Sequence, residues 1–280
     1  MKGHRRNSSF SQHAVKINIV CMPRKRIGLA LSGGGARGFA HVGVLKVLER
    51  EGFKFDLIAG TSAGSIVGGA LAGGMAAPQI EEMARRTGYF NMFRPTISRF
   101  GLLSNAAMGR FLHRTLPADR FEALPTPLYV VAYDITAGKQ RVFSESGDLI
   151  TAIRASCAVP GVFKPIRDEL GHLLVDGGVT SVMPSRTLRE AGADVIIGVD
   201  LLGSGSVFRP KIHTVLSVLV RSAMKMIQIS GREDKLAADV VITPQIAHLR
   251  PDQIGKIDEF ISLGEAAAEA SLDELRRAVQ

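Results

Sequence analysis

Two glycine-rich turns, each closing a short apolar run and each opening a helix, constrain this 280-residue chain more than anything else in it. Ile27-Gly-Leu-Ala-Leu31 runs into Ser32 and then Gly33, Gly34 and Gly35, while Phe55-Asp-Leu-Ile-Ala59 runs into Gly60-Thr61-Ser62-Ala63-Gly64. An apolar run that stops at consecutive glycines is the pattern of a buried strand meeting a tight loop. Between the two runs, Val42, Leu45, Val47 and Leu48 fall at mostly helical spacing, and Gly52 ends that helix. The order is therefore strand, glycine loop, helix, strand, sharp turn, helix. Adjacent parallel strands would bring both turns to one sheet edge, where loop N–H groups can face a turn side chain.

The same reading places further strands at 127–134, 139–144, 172–175, 194–200 and 239–243. Helices are expected near 78–87, 106–115, 148–156, 184–191, 212–237 and 258–278. Strands alternating with helices argue for an α/β layered fold with a largely parallel sheet. No Pro/Gly/Ser-rich linker divides the chain after residue 26 and no repeat of 20–50 residues is visible, so 27–280 is expected to be one domain.

Net charge is +9, which invites a nucleic-acid or anionic-membrane reading. Its distribution removes most of that meaning. Residues 1–26 hold Lys2, Arg5, Arg6, Lys16, Arg24, Lys25 and Arg26 with no acid, while the rest of the chain is close to neutral. A domain-wide basic footprint is absent, which excludes nucleic acid as the expected partner. Residues 1–26 read as a disordered basic extension, with a lipid-attracted arm as the alternative. Lys16 and Asn18 interrupt the only apolar stretch near the start, so no signal peptide is expected. No run is long and apolar enough for a transmembrane helix, and 212–229 is broken by Arg221 and Lys225. The expected location is cytoplasmic, peripheral at most on the inner face of a membrane. Cys21 and Cys157 are too few for a disulfide framework, and no Cys/His cluster has zinc-ligand spacing, so neither metal nor cofactor is expected.

Two chemistries compete for the first turn. Gly33 to Gly38 fits G-x-G-x-x-G, but Asp56 lies at the start of the second strand rather than its end, and no Gly-Lys-Ser/Thr follows, which argues against a nucleotide. Gly60-Thr61-Ser62-Ala63-Gly64 is G-x-S-x-G at a strand-to-helix turn, the nucleophile elbow that lifts a serine hydroxyl out of the sheet. A nucleophilic serine needs a base. None of His4, His13, His41, His113, His172, His213 and His248 stands in a strongly marked loop; Asp176, in Leu173-Leu-Val-Asp-Gly-Gly178, is better marked. A Ser62–Asp200–His248 triad is the alternative. Residues 89–111 collect Tyr89, Phe90, Phe93, Phe100 and Phe111, expected to serve as core or flap, or as an acyl-groove wall.

Together, Ser32-Gly-Gly-Gly-Ala-Arg-Gly-Phe-Ala-His41, Gly60-Thr-Ser-Ala-Gly64, Ala155-Ser-Cys-Ala-Val-Pro-Gly-Val-Phe163 and Asp176-Gly-Gly178 resemble the patatin-like phospholipase family over about residues 26–200. The resemblance implies a three-layer α/β/α fold with a mostly parallel central sheet, carrying its motifs within 27–200. It implies a serine lipid acyl hydrolase of phospholipase, lysophospholipase or esterase type, with Ser62 as nucleophile and Asp176 as base. The oxyanion hole would come from Gly33, Gly34 and Gly35 with Arg37, supported by Gly38, Gly60, Gly64, Gly177 and Gly178. Asp-Gly-Gly stands where many members have Asp-Gly-Ala. A lipid or ester substrate is expected, homo-oligomerisation stays open, and a catalytically idle acyl-binding scaffold is the remaining alternative.

Overall fold

In the computed structural model, residues 24–87, 92, 94–96, 100–205, 218, 222, 225 and 231–280 are described. The first unit forms as read: β1 (Ile27–Leu31), a 3-10 turn at Gly35–Gly38, α1 (Phe39–Arg50), β2 (Leu57–Thr61) and α2 (Ala63–Ala72). Next come α3 (Ala77–Arg85), the short pair β3 (Arg94–Pro95) and β4 (Leu103–Ser104), α4 (Ala106–Thr115), β5 (Leu128–Asp134) and β6 (Lys139–Phe143). α5 (Leu149–Ser156), β7 (Ile166–Arg167), β8 (Leu173–Asp176), α6 (Ser185–Glu190) and β9 (Val195–Val199) lead to a helical stretch at 231–237. β10 (Val240–Ile242), α7 (Ile257–Ala270) and α8 (Leu272–Val279) complete the chain.

The main sheet runs β10-β9-β1-β2-β5-β8-β7, with β6 also on β5. From β10 to β5 every pairing is parallel; β6, β7 and β8 pair antiparallel. Period-two alternation sends consecutive residues to opposite faces. Leu29, Leu31, Ile58, Val130, Ile197 and Val199 therefore join one apolar cluster with residues of α1, α2, α5 and α7. Ala30, Leu57, Ala59 and Ile196 join another with Met183, Leu188 and Ala193 on the α6 side. Helices on both faces of a mostly parallel sheet make the three layers that the sequence predicts.

One expectation is corrected and three short strands were not foreseen. One helix over 258–278 is instead α7 and α8, because the Ser271 N–H turns to Ala268 O at 3.1 Å and breaks the register, which lets Leu275 point fully inward. The pairs β3–β4 and β7–β8 involve two-residue strands too short to leave a sequence period. α7 reaches the core by backbone contact. A Cβ on Gly43 of α1 would lie 2.0 Å from Ile261 O, and one on Gly264 of α7 would lie 2.1 Å from Ala40 O. Among the described residues no helix is long and apolar enough to cross a membrane. Tyr89, Phe90, Phe93, Cys21, residues 1–23 and all of 212–229 except Val218, Ser222 and Lys225 lie outside the described residues. Of the remaining aromatics in 89–111, Phe100 is exposed and Phe111 packs against the core.

Candidate active site

Sheet register brings Ser62 and Asp176 together. Thr61 lies opposite Val131 on β5 and Asp176 lies opposite Ala132, the next residue. β6 covers 130–134 of β5 and so takes its other edge. β2 and β8 therefore share one edge of β5, running towards each other, and their carboxyl ends meet. At that meeting point the Ser62 side chain lies beside the Asp176 carboxyl and favours its ionised form.

Ser62 caps α2 with φ 52° and ψ −122°. Only it and Glu145 have positive φ among the described non-glycine residues. Such a conformation is costly for a residue with a Cβ, and here the surroundings enforce it. Ser62 N–H donates to Ser156 Oγ at 2.8 Å, Ser156 Oγ donates to Val131 O at 2.6 Å, and Ser62 O accepts from Ser65 Oγ at 2.6 Å. Glycine lets the chain close around it. A Cβ on Gly64 would stand 2.1 Å from Leu31 O, one on Gly60 2.5 Å from Gly64 O, and one on Gly38 2.7 Å from Ala63 Cβ.

Asp176 is 4% exposed. Its backbone N–H donates to Ala158 O at 2.9 Å, and its Oδ1 accepts the Gly178 N–H at 2.8 Å. A Cβ on Gly177 would stand 2.2 Å from Val131 O, so the turn after Asp176 lies directly on β5. Burial pushes the carboxyl up to about 6, against the pull of the Gly178 N–H and the Ser62 hydroxyl. The same burial, with the Asp176 charge nearby, pushes the Cys157 thiol far up, so Cys157 beside Ser62 and Ser65 is a protonated thiol.

The glycine loop lies next to Ser62: a Cβ on Gly33 would be 3.2 Å from Ser62 Cβ. Its three amides are not equivalent. Gly33 N–H is bound to Val182 O at 3.0 Å, which removes it from the expected anion hole. Gly34 and Gly35 N–H find no acceptor among the described residues, and Gly35 holds φ 60°, where a Cβ would lie 2.7 Å from Pro251 O. Arg37 is corrected in the same way. Its guanidinium is buried and donates to Leu249 O at 3.0 and 3.1 Å, Leu201 O at 3.3 Å and Gly205 O at 3.0 Å, while its N–H goes to Gly34 O. Arg37 therefore clamps the loop to the C-terminal part of the chain, and its guanidinium is taken up by those carbonyls.

The Ser62–Asp200–His248 alternative fails geometrically. His248 is exposed and pairs with Glu259 at 3.0 Å, while Asp200 is buried against Lys235 at 2.5 Å. His113 pairs with Asp119 and His172 with Asp134. His41 is fully buried with its Nε2 donating to Ser32 O at 2.8 Å, and burial lowers its pKa to about 4, so it is a neutral anchor of the glycine loop. No described histidine has Ser62 as partner, and no described group of His, Cys, Asp and Glu could hold a metal ion. Sequence reasoning missed Ser156, Ser65 and Ser181. Ser156 stood inside a recognised motif without a role, and only the register of β5 against α5 gives it one.

The family model for Patatin-like phospholipase matches residues 29–189. An uncharacterized NTE family protein of Mycobacterium bovis is 38% identical over 182 residues, covering 64% of this chain and 50% of that protein. Patatin-like phospholipase domain-containing protein 6 of Homo sapiens is 36% identical over 185 residues, covering 62% of this chain and 13% of its own length. The chain thus corresponds to half or less of either relative. Among solved structures, VipD from Legionella pneumophila aligns over 90% of this chain and 67% of its own with a TM-score of 0.61 at 15% identity, a likeness of fold. On the family match, this chain belongs to the patatin-like phospholipase family.

Proposed function

We propose that this chain is a serine lipid acyl hydrolase acting on carboxylic esters through a Ser62–Asp176 dyad. The observation that carries the reading is a serine held at φ 52° where β2 and β8 meet, beside a buried carboxylate whose pKa is about 6. At neutral pH such a carboxylate is mostly ionised, yet more basic than an exposed one, as general-base work requires. Asp176 takes the Ser62 Oγ proton as Oγ bonds to the ester carbonyl carbon and the carbonyl electron pair moves onto oxygen. Gly34 and Gly35 N–H donate to that oxyanion, and the positive end of α2 lies beside it. Collapse breaks the bond to the alcohol, which takes the proton from Asp176. Water, activated by the same carboxylate, then cleaves the acyl-serine.

The test is hydrolysis of p-nitrophenyl butyrate together with labelling by a fluorophosphonate probe. Wild-type protein should do both. Ser62→Ala should do neither, and Asp176→Ala should lose hydrolysis while retaining its fold. An active Asp176→Ala would remove the dyad, and an unlabelled wild type would leave the acyl-binding scaffold instead.

A further inference from the structure

The buried carboxylate of Asp234 stands outside the dyad and holds the segment that ties the dyad's neighbours together. Asp234, in the helical stretch 231–237, is fully buried. Ser181 Oγ lies 3.1 Å from its Oδ1 and 3.0 Å from its Oδ2, Met183 N–H donates to Oδ2 at 3.2 Å, and Arg186 Nε of α6 is 3.5 Å from Oδ1. Arg186 is shared with Glu233 at 2.8 Å. Taking a carboxylate out of water onto mainly neutral partners is unfavourable, and it is retained here only because it binds Ser181, Met183 and Arg186 at once.

What Asp234 holds gives it a use. Ser181 N–H donates to Gly177 O at 2.9 Å, Ser181 O accepts Thr61 Oγ1 at 2.9 Å, and Val182 O accepts Gly33 N–H at 3.0 Å. Two consecutive residues, Ser181 and Val182, thus tie together the residue after Asp176, the residue before Ser62 and the residue before Gly34. Each tie ends one residue from a group that the reaction needs. We propose that Asp234 is a positioning residue: by fixing Ser181–Met183 it sets base, nucleophile and anion-binding amides in register with one another. It touches no substrate and acts through the bracket. Misplacing reacting groups by about 1 Å costs on the order of 100-fold in rate.

The inference rests on the Ser62–Asp176 reading, and the experiment separates the two. Active sites of wild type, Asp234→Ala, Asp234→Asn, Ser181→Ala and the double variant Ser181→Ala/Asp234→Ala are counted with the fluorophosphonate. Then kcat and KM for p-nitrophenyl butyrate are taken per counted site. Asp234→Ala should lose about 10- to 100-fold in kcat per site with KM within about twofold. Asp234→Asn, which keeps an acceptor for Ser181 or Met183, should recover most of that loss. The double variant should be no slower than the worse single one, because both break the same tie. A merely structural carboxylate would lower the count of active sites and leave kcat per site unchanged, and that result overturns the proposal. If Asp234→Ala yields too little folded protein, Ser181→Ala decides it, since wild-type kcat per site in that variant is equally fatal. A wild type that takes no label removes the dyad and this inference together; one that labels normally while the variants match it removes only the inference.

Discussion

Replacing Asp176 by asparagine should stabilise the protein at alkaline pH and not at acid pH, while abolishing its activity. Burial raises this carboxyl from 3.8 to about 6, so the folded state prefers the protonated form. Below about pH 3.8 the carboxyl is protonated whether folded or unfolded and carries no penalty. As pH rises through about 6 it must ionise in a desolvated site, and that part of the folding stability is lost. Each tenfold in proton affinity is worth about 1.36 kcal/mol, so the wild type gives up about 3 kcal/mol over this window and the uncharged amide gives up none. Changed contacts with Ser62 and Gly178 shift the variant equally at both ends, so the pH dependence isolates the charge. Reversible urea unfolding at pH 4 and pH 8 measures it: about 0.6 kcal/mol is already lost at pH 4, so stability of Asp176→Asn relative to wild type should grow by about 2.4 kcal/mol between the two. The same same-sized difference at both pH values would refute a desolvated base at this position. In wild type, kcat/KM should fall on the acid side with a limb near the same pKa, as Asp176 takes up its proton.

Ser62→Gly should be more stable than Ser62→Ala by about 1–2 kcal/mol in thermal or urea unfolding, both being inactive, because only glycine accepts φ 52° without strain. Ser156→Ala leaves the Ser62 N–H and Val131 O without their partner in a buried site, so it should cost about 2–3 kcal/mol of unfolding free energy and reduce labelling of Ser62 by the fluorophosphonate. A chain beginning at Met22, without the basic residues Lys2, Arg5, Arg6 and Lys16, should bind anionic vesicles more weakly in a sedimentation assay with unchanged esterase activity. Equal binding by both chains would deny the arm that part.

Much of the parallel half of the fold was legible because its signals are local. Apolar runs ending in glycine mark β1 and β2, and helical spacing marks α1, α4 and α5. The short strands β3, β4 and β7 left no period to read. Ser62 and Asp176 stood out for the same reason: each ends a strand and is followed by small residues that permit close approach. The fates of Gly33 and Arg37 were not readable, since the partners that take their donors lie well over a hundred residues away, at Val182, Leu201, Gly205 and Leu249. Asp200 and His248 could be proposed as triad members only until their neighbours, Lys235 and Glu259, were known.

By itself the sequence determined the strained serine turn, the glycine loop beside it, the carboxylate at a strand end and the layered α/β class, because turn geometry and residue period are set by neighbours along the chain. Tertiary structure alone decided that β2 and β8 meet end to end along one edge of β5, which makes a pair of residues 114 positions apart into neighbours. It also decided which amides stay free and placed Asp234 behind Ser181. Pairing register, burial and the competition for each donor depend on which distant segments share a space, and no local pattern encodes that.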